Sequence, residues 1–316
     1  MRKVRFVEVG SVLSDFKIKL NSEDRASEIV AVLGCGVIGI SWAKLFLTHG
    51  YTVKIWDPAQ DLHSRLSIYF GDDLCQRLIL SDSAAQAVSG AFFVQENGPE
   101  SPLIKHALYQ NIALALDENC IVASSTSTIQ PSVLQRNIVF ADRVLVGHPF
   151  NPPHLLPLVE VIGGKLTSTE TLNKALDFYR SLNKTAIHLK TERSGHLANR
   201  LQAAVWREAV DAVATGQATV EDVDLAMKTS LGPRWSVMGP FETFHLGGGE
   251  GGIEHFFDHL GEAFEGLWDD AKRPNVTKEL KQEICQGVSH SGASMSNKER
   301  MEGIYRKLSK VVQVTS

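Results

Sequence analysis

The sequence predicts an α/β domain with a parallel sheet, followed by an all-α domain. From residue 29 to about residue 189, short β-rich runs alternate with helical patterns, as a parallel α/β sheet requires. From about residue 194, strand signals almost disappear and apolar residues recur at helical spacing. We therefore expect residues 29–192 and 193–316 to form two domains, and residues 1–28 to be an N-terminal extension without an assigned role.

The elements follow from local patterns. Six strands are expected, at residues 29–33, 52–56, 91–95, 120–124, 143–147 and 185–189. An amphipathic helix after the first strand ends at Gly50, and a helix over 168–182 begins at Thr167 with capping-box spacing to Glu170. Further helices are expected at residues 195–216, from Thr219 onward, and at 253–266, 277–286 and 297–312. The GGGEGG run at 247–252 is interpreted as a flexible connection, since no strand precedes it.

Composition excludes several classes of protein. Hydrophobic residues make up 43% and charged residues 22% of the 316 positions, with a net charge of −4. The sequence has no cluster of basic residues, so a nucleic-acid partner is not expected. It also has no apolar run of about 18 residues, the length that a membrane span needs. The four cysteines are Cys35, Cys75, Cys120 and Cys285; they form no CxxC pair and favour a reducing, cytoplasmic compartment.

A glycine-rich turn follows the first predicted strand. Gly34, Gly36 and Gly39 form GCGVIG, directly between that strand and a helix. In a Rossmann-type doubly wound sheet, the first glycine permits a tight turn, the second lets backbone approach a pyrophosphate, and the third allows close helix–strand packing. The helix N-terminus, with Val37 and Ile38, offers free N–H groups to the phosphates. We therefore expect a dinucleotide cofactor.

Asp57 ends the second predicted strand and bears on which dinucleotide binds. A carboxylate at this position accepts hydrogen bonds from ribose hydroxyls and repels a 2′-phosphate. The alternative is a turn residue before Pro58, a position that aspartate also suits. The pattern predicts NAD in preference to NADP.

A histidine and a glutamate carry the clearest chemical signal. His148 precedes Glu160 in the apolar, proline-rich stretch HPFNPPHLLPLVEVIGG. A carboxylate partner orients an imidazole and stabilises the imidazolium, which makes the histidine a general base near neutral pH. The alternative is a core histidine bonded to a carboxylate for packing. Joined to a dinucleotide site, the pair predicts the proton-transfer half of an alcohol–ketone oxidation.

Three polar segments fall where a reaction centre is expected. SSTSTI (124–129) and HPFNPP (148–153) each follow a strand, and SGHLANRL (194–201) opens the second domain. Rossmann-type sheets bind ligands beyond the carboxyl ends of their strands. We therefore expect the substrate to lie between the domains.

With these motifs the chain resembles the 3-hydroxyacyl-CoA dehydrogenase superfamily, from about residue 29 almost to its end. The matching motifs are GCGVIG, SSTST, HPFNPP with LVEVIGG, and the Asn199–Arg200 pair. The resemblance implies a catalytic set of Ser127, His148, Glu160 and Asn199. In this set His148 takes the hydroxyl proton, Glu160 orients His148, and Ser127 and Asn199 donate to the developing carbonyl oxygen. No metal is expected, because the dinucleotide cofactor itself accepts the hydride.

The resemblance also implies that Glu100 and Lys105 contact the nicotinamide nucleotide, although QENGPESPLIK departs from the family's more apolar run. Two members of the catalytic set have alternative roles. Ser127 is also suited to capping the following helix, and Asn199 to being a buried amide on a helix face.

Within the superfamily, residues 231–261 are similar to the carnitine 3-dehydrogenase family. Carnitine combines a carboxylate, a 3-hydroxyl and a trimethylammonium group. The planar fork of Arg234 suits the carboxylate. Trp235, with Phe150, Phe241 and Phe244, suits a wall for the quaternary ammonium, at about 0.5–2 kcal/mol per cation–π contact. The alternative is that these aromatic side chains are domain core and that the arginine faces solvent.

Other functions remain open alongside carnitine oxidation. Gulonate 3-dehydrogenases, which include lambda-crystallin, are a near second resemblance through GPFETFHL, and oxidation of 3-hydroxyacyl-CoA is a third. A non-enzymatic, crystallin-like protein that binds NAD is a fourth. The resemblance further implies a homodimer formed through the helical domain.

Overall fold

The computed structural model describes residues 25–63, 65–66, 70, 75–290 and 297–315. The chain divides into two compact units, residues 1–199 and 200–316. Most of the expected N-terminal extension, residues 1–24, lies outside the described residues. The domain bounds predicted from the sequence, 29–192 and 193–316, stay a prediction.

The first unit is organised around one eight-stranded sheet. Its strands are β1 (Ile29–Leu33), β2 (Thr52–Trp56), β3 (Leu78–Leu80), β4 (Phe93–Glu96), β5 (Ile121–Ser124), β6 (Val144–Pro149), β7 (Leu158–Gly163) and β8 (Thr185–His188). They lie in the order β3-β2-β1-β4-β5-β6-β7-β8. The predicted α/β class with a doubly wound sheet is confirmed.

One pair of neighbouring strands departs from the expected parallel sheet. β6 and β7 pair antiparallel, whereas every other neighbouring pair is parallel. Only residues 150–157 join β6 to β7. A parallel crossover needs about a dozen or more residues, so this short connection returns the chain as an antiparallel neighbour. Neither β7 nor the short strand β3 was predicted from the sequence.

Helices cover both faces of this sheet. They are α1 (Val37–Thr48), α2 (Ala84–Val88), α3 (Pro102–Ile112), α4 (Pro131–Leu134) and α5 (Thr169–Ser181). Val30 and Val32 of β1 lie in one apolar core with Phe46 of α1, and Ala31 and Leu33 lie in a second core. Successive side chains of a strand point to opposite faces, so β1 is buried on both sides.

The start of α5 differs from the expectation. The capping residue is Ser168, whose hydroxyl accepts the backbone N–H of Thr171. The hydroxyl of Thr167 instead donates to the carbonyl of Val144 at 2.6 Å. The prediction that Thr167 begins the helix is therefore wrong by one residue, because a tertiary hydrogen bond engages its side chain.

The second unit is helical. Its helices are α6 (Ala198–Ala214), which begins at the end of the first unit, then α7 (Val220–Ala226), α8 (Gly232–Trp235), α9 (Pro240–Gly247), α10 (Gly252–Phe256), α11 (Glu262–Asp270), α12 (Lys278–His290) and α13 (Asn297–Thr315). Two π-helical segments, Met227–Leu231 and Phe257–Gly261, precede α8 and α11. The predicted all-α character is confirmed for the residues that the structure describes.

The glycine run at 247–252 contains a short turn that connects two helices, and its expected flexibility stays a prediction. Gly249–Gly251 form a single 3₁₀ turn between α9 and α10. Gly249 and Gly252 have φ values of +62° and +61°, a region that glycine enters without steric cost. These glycines therefore permit a tight helix–helix connection. None of the helices in the described ranges combines the length and the apolar character that crossing a bilayer demands.

Candidate active site

The glycine-rich turn connects β1 to α1, and its three glycines are needed for different reasons. Gly34 has φ +85°, and a Cβ there would lie 2.7 Å from the carbonyl oxygen of Asn97. A Cβ on Gly39 would lie 1.9 Å from the carbonyl oxygen of Gly34. A Cβ on Gly36 would meet nothing within 4 Å. Gly34 and Gly39 therefore allow the turn to close, whereas the backbone at Gly36 borders open space.

A cavity of about 910 Å³ opens beside this turn, lined in part by Gly34, Gly36 and Asp57. Asp57 Oδ2 accepts the backbone N–H of Cys35 at 2.6 Å, so the end of β2 is tied to the glycine turn. The Arg65 guanidinium lies 3.6 Å from Asp57 Oδ1 and donates to the carbonyl of Cys35 at 3.0 Å. The carboxylate at the end of β2 is thus held in a fixed place at the cavity wall.

These features fit a dinucleotide. The first N–H groups of α1 have no partner within the helix, and its N-cap is Gly36, which has no capping side chain. Val37, the first helical residue, is half exposed, and the side chain of Ile38 packs against the core. The backbone N–H groups of Val37 and Ile38 at this helix N-terminus suit an anion, since the macrodipole has the favourable direction. Their contact with the cofactor stays a prediction.

A buried ion pair is part of the lining of the same cavity. Glu96, at the end of β4, is fully buried and pairs with Lys105 of α3 at 2.7 Å. The Lys105 ammonium also donates to the carbonyl of Gly98, and Glu96 also accepts from Ser124 and Tyr109. Lys105 lines the cavity as predicted for a cofactor-binding residue, but its ammonium already has protein acceptors. A direct contact between its charge and the cofactor stays a prediction.

Glu100 organises the loop that follows β5. Its Oε1 accepts hydrogen bonds from the hydroxyls of Thr126 and Thr128 and from the backbone N–H groups of Ser127 and Thr128. Burial by itself raises the pKa of Glu100, but these hydrogen bonds outweigh burial and hold the pKa below its usual value. Glu100 therefore stays ionised and fixes the loop that carries Ser127.

The antiparallel pairing of β6 with β7 brings His148 and Glu160 together. They are direct partners in the strand register, and His148 Nδ1 lies 2.8 Å from Glu160 Oε2. Both side chains are at most 5% exposed. A carboxylate only accepts hydrogen bonds, so Nδ1 carries the hydrogen and Nε2 is the unprotonated nitrogen of the neutral ring. The ring edge of Phe150 lies beside the imidazole, with 5.6 Å between the ring centroids.

The second oxygen of Glu160 is held by backbone. Glu160 Oε1 accepts the N–H groups of Leu197 and Ala198, each at 2.9 Å. Burial by itself raises the pKa of Glu160, but the hydrogen bonds from His148, Ala198 and Leu197 outweigh it and lower the pKa. The carboxylate is therefore ionised near neutral pH and offsets a positive charge on His148.

Ser127 and Asn199, the other two residues of the expected catalytic set, lie in two further segments. Ser127 is partly exposed in the loop after β5, and within the described residues no hydrogen bond involves its hydroxyl. Asn199 directly follows Ala198, one of the two donors to Glu160, in the first turn of α6. The structure therefore places Asn199 next in sequence to a residue that contacts the His148–Glu160 pair.

The other predicted substrate residues belong to the second unit. Arg234 is exposed in α8, Trp235 is 41% exposed and Phe241 is 82% exposed. Phe244 instead packs against Phe256 and Phe264, with ring centroids 4.5 and 5.0 Å away. Phe244 is half-buried in this aromatic cluster, and its contact with substrate stays a prediction.

Two residues of the site were missed by the sequence analysis. His196 lies in the segment SGHLANRL and is buried beside His148, with 5.1 Å between ring centroids. Its place directly before the first residues of a helix was a usable signal. Glu96 has no comparable signal, because its side-chain partners lie in α3 and at the end of β5, which are separate parts of the chain. In the described ranges, no group of three or more His, Cys, Asp or Glu side chains is arranged to hold a metal ion.

Family models match nearly the whole described chain. The 3-hydroxyacyl-CoA dehydrogenase NAD binding domain matches residues 29–74 and 64–192. The 3-hydroxyacyl-CoA dehydrogenase C-terminal domain matches residues 195–287. The matches cover the dinucleotide cavity, the His148–Glu160 pair and most of the helical unit.

Curated relatives cover most of the chain as well. The L-carnitine dehydrogenase of Nocardiopsis dassonvillei is 40% identical over 296 residues, 90% of this chain and 90% of that protein. The L-carnitine dehydrogenase of Streptomyces coelicolor is 40% identical over 281 residues, 84% of this chain and 88% of that protein. The L-carnitine dehydrogenase of Bacillus cereus is 39% identical and covers 85% of this chain and 87% of that protein.

Solved structures share the fold. A 5-formyl-3-hydroxy-2-methylpyridine 4-carboxylic acid 5-dehydrogenase, described as an NAD⁺-dependent dismutase, is 26% identical, with a TM-score of 0.76 and coverage of 91% of this chain and 98% of that chain. A 3-hydroxyacyl-CoA dehydrogenase from Archaeoglobus fulgidus is 22% identical, with a TM-score of 0.64 and the same coverage. The second likeness concerns the fold alone.

Proposed function

This chain belongs to the 3-hydroxyacyl-CoA dehydrogenase family, and we propose that it oxidises L-carnitine at its 3-hydroxyl to give 3-dehydrocarnitine. It is an NAD-dependent oxidoreductase that acts on a small molecule. The observation that carries the choice of substrate is the set of L-carnitine dehydrogenases that are 39–40% identical over most of the chain. The His148–Glu160 pair, in the same unit as the dinucleotide cavity, supports the choice of reaction.

His148 is the proposed general base. Its Nδ1 hydrogen is donated to Glu160, so Nε2 is free to accept the proton of the substrate hydroxyl. When bound, NAD supplies the acceptor for the hydrogen that leaves the carbinol carbon with its electron pair. As His148 becomes cationic, the ionised Glu160 stabilises the imidazolium and keeps the ring in one orientation.

Ser127 and Asn199 are the proposed donors to the oxygen that becomes a carbonyl. Their roles rest on the resemblance to the family. The Ser127 hydroxyl has no hydrogen bond within the described residues, so it is available to donate, and Glu100 fixes its backbone. Fixed donors cost no reorganisation during the reaction, which is why a rigid loop suits this role.

Binding of the carnitine ends is proposed for Phe150 and for the second unit. Phe150 is partly exposed beside His148 and offers an aromatic face near the reacting hydroxyl. Arg234 is the proposed partner of the carboxylate, and Trp235 and Phe241 are the proposed contacts of the trimethylammonium. Phe244 is a further proposed contact, from a half-buried ring that packs against Phe256 and Phe264.

NAD reduction by the purified protein tests this proposal, with L-carnitine, D-carnitine, L-gulonate and 3-hydroxybutyryl-CoA assayed side by side. Turnover of L-carnitine alone is the expected result. Turnover of L-gulonate instead would keep the roles of His148 and Glu160 and overturn the proposed substrate. Tight NAD binding without turnover of any of the four would favour a crystallin-like binding protein.

A homodimer formed through the helical unit is also proposed, as the family resemblance implies. Leu201, Trp206 and Leu225 are each more than half exposed in this unit. Trp206 also lines an apolar cavity of about 250 Å³. An exposed apolar surface of this kind is typical of an interface between subunits.

Light scattering after size exclusion tests the dimer. The wild type is expected to have twice the mass of the chain, and Trp206→Glu is expected to be a monomer. Arg207→Glu, at the neighbouring exposed position, is the matched control and should remain a dimer. A monomeric wild type would contradict the proposal. The cytoplasmic location stays a prediction from cysteine usage.

A further inference from the structure

His196 is a buried histidine that the proposed mechanism does not use. It is 3% exposed, and its Nε2 lies 2.9 Å from the carbonyl oxygen of Thr126. Since a carbonyl only accepts, Nε2 carries the hydrogen of this bond. The ring lies against that of His148, with 5.1 Å between centroids. His196 therefore touches both the loop after β5 and the proposed base.

The backbone around His196 also contacts the His148–Glu160 pair. Gly195 and His196 have φ values of +78° and +50° and form a left-handed turn directly before α6. The next two residues, Leu197 and Ala198, donate their N–H groups to Glu160. A left-handed conformation is uncommon for a residue with a side chain and needs support from its surroundings. The hydrogen bond from His196 to Thr126 provides such support.

The loop that receives this bond is held from two directions. Glu100 binds the Thr126 hydroxyl and the Ser127 N–H. His196 binds the Thr126 carbonyl. Thr126 directly precedes Ser127, so the position of the Ser127 hydroxyl depends on both contacts. Glu100 anchors the loop to the segment after β4, whereas His196 anchors it to the turn that holds Glu160.

We propose that His196 is a positioning residue for the reaction: it keeps the loop that carries Ser127 in register with the His148–Glu160 pair. This inference rests on the proposed function, because it assumes that Ser127 and His148 act on one substrate oxygen. The single turn Gly195–Ala198 aligns the proposed donor with the proposed base. Its imidazole binds the loop that carries the donor, and two of its backbone N–H groups bind Glu160.

An imidazole suits this place because it donates a hydrogen bond while neutral. Burial lowers the pKa of His196, and the neighbouring His148 lowers it further, although the hydrogen bond to Thr126 and the charges of Glu160 and Glu100 act in the opposite direction. A neutral His196 adds no positive charge beside His148 when that ring takes up a proton. A lysine or arginine at the same place would oppose the imidazolium.

Two amide variants form a matched pair that tests the contact. Asparagine tolerates the left-handed conformation, but its amide ends short of the Thr126 carbonyl, whereas glutamine reaches about as far as Nε2. We expect His196→Asn to lower kcat by about 10- to 100-fold, since small misplacements at a reaction centre cost this much. His196→Gln should keep kcat within about threefold of the wild type. The NAD dissociation constant should be unchanged in both.

A double-variant cycle separates positioning from general support of the fold. If His196 acts through Ser127, then His196→Asn should lower kcat by less than about threefold when introduced into Ser127→Ala. An equal loss in the two backgrounds would overturn the proposal. So would wild-type kcat in His196→Asn, failure of His196→Gln to restore the rate, or weakened NAD binding in His196→Asn.

The substrate in these assays is the alcohol that the wild type oxidises fastest, so the two proposals fail in different ways. If the wild type oxidises none of the alcohols, the proposed function is overturned. This outcome requires only the assay of the wild type and does not depend on the His196 variants. An active wild type with unaffected His196 variants overturns only the role of His196.

Discussion

The two units differ in how their functional side chains are held. In the first unit, His148, Glu160 and Glu96 are buried, and strands, a helix and a turn of that unit supply their hydrogen-bond partners. In the second unit, Arg234 and Phe241 are exposed on short helices. The side chains proposed for proton transfer are therefore held by the protein before substrate binds. The side chains proposed to select the substrate are exposed, and we expect substrate to fix their positions.

This contrast has a physical basis. Proton transfer needs heavy atoms within hydrogen-bond distance and correct protonation states, which a packed sheet edge provides. Recognition of a carboxylate and a trimethylammonium tolerates more freedom, because ionic and cation–π contacts depend less steeply on angle. Changes at His148 and Glu160 are therefore expected to act on kcat, and changes in the second unit on the choice of substrate.

The largest effect is expected at the base. His148→Ala should lower kcat by about 10²- to 10⁴-fold, the usual contribution of a general base. NAD affinity should be unchanged, because His148 does not line the dinucleotide cavity. Steady-state rates and calorimetric titration with NAD check these two expectations. His188→Gln, at an exposed histidine of β8, is the control and should behave as the wild type. Loss of NAD binding in His148→Ala would assign His148 a role in folding.

A smaller effect is expected at the partner of the base. Glu160→Gln keeps an acceptor for one neighbour but removes the charge that stabilises the imidazolium, so kcat should fall by about 10- to 100-fold. A kcat equal to that of the wild type would mean that His148 needs no carboxylate.

Glu160 also predicts a dependence of stability on pH. The folded-state pKa lies below the ordinary value of 4.5, so the stabilising contribution is complete above about pH 4.5 and is lost as pH falls through the folded-state pKa. The free energy of unfolding of the wild type should therefore exceed that of Glu160→Gln at neutral pH, and the difference should shrink in acid. Urea unfolding across this range measures it, and a difference independent of pH would contradict the assignment.

The next effect concerns the cofactor. Asp57→Ala should weaken NAD binding by about tenfold or more and improve the use of NADP relative to NAD, because Arg65 remains beside the ribose position. Asp177→Ala, at an exposed aspartate of α5 that does not line the cavity, is the control and should bind NAD as the wild type does. An unchanged ratio of NADP to NAD use in Asp57→Ala would place the ribose contact elsewhere.

The sequence predicted the dinucleotide part of the first unit well. The glycine turn, α1 and the acid at the end of β2 are local features, since each depends on residues close together in the chain. Gly39 shows why, because a Cβ there would meet the carbonyl of Gly34 within the same turn. The close approach of Gly34 to Asn97, after β4, is a contact between distant segments.

The catalytic pair was predicted as a pair, but its geometry was not. His148 and Glu160 meet because β7 turns back antiparallel beside β6, and β7 was not predicted as a strand. The acceptors of Lys105 and the place of His196 were missed for the same reason, since each depends on contacts between distant segments. Phe244 shows the limit in the second unit, where an aromatic residue of the core and one of a binding wall have the same sequence signal.

The most direct test of the contrast between the units is a ratio of specificities. The values of kcat/KM would be measured for L-carnitine and for 3-hydroxybutyrate, which lacks the trimethylammonium group, in wild type, His148→Gln and Trp235→Leu. His148→Gln should lower both values by the same factor and leave their ratio unchanged. Trp235→Leu should lower only the value for L-carnitine, by about 2- to 30-fold. An altered ratio in His148→Gln, or an equal loss for both substrates in Trp235→Leu, would contradict the division of chemistry and selection between the two units.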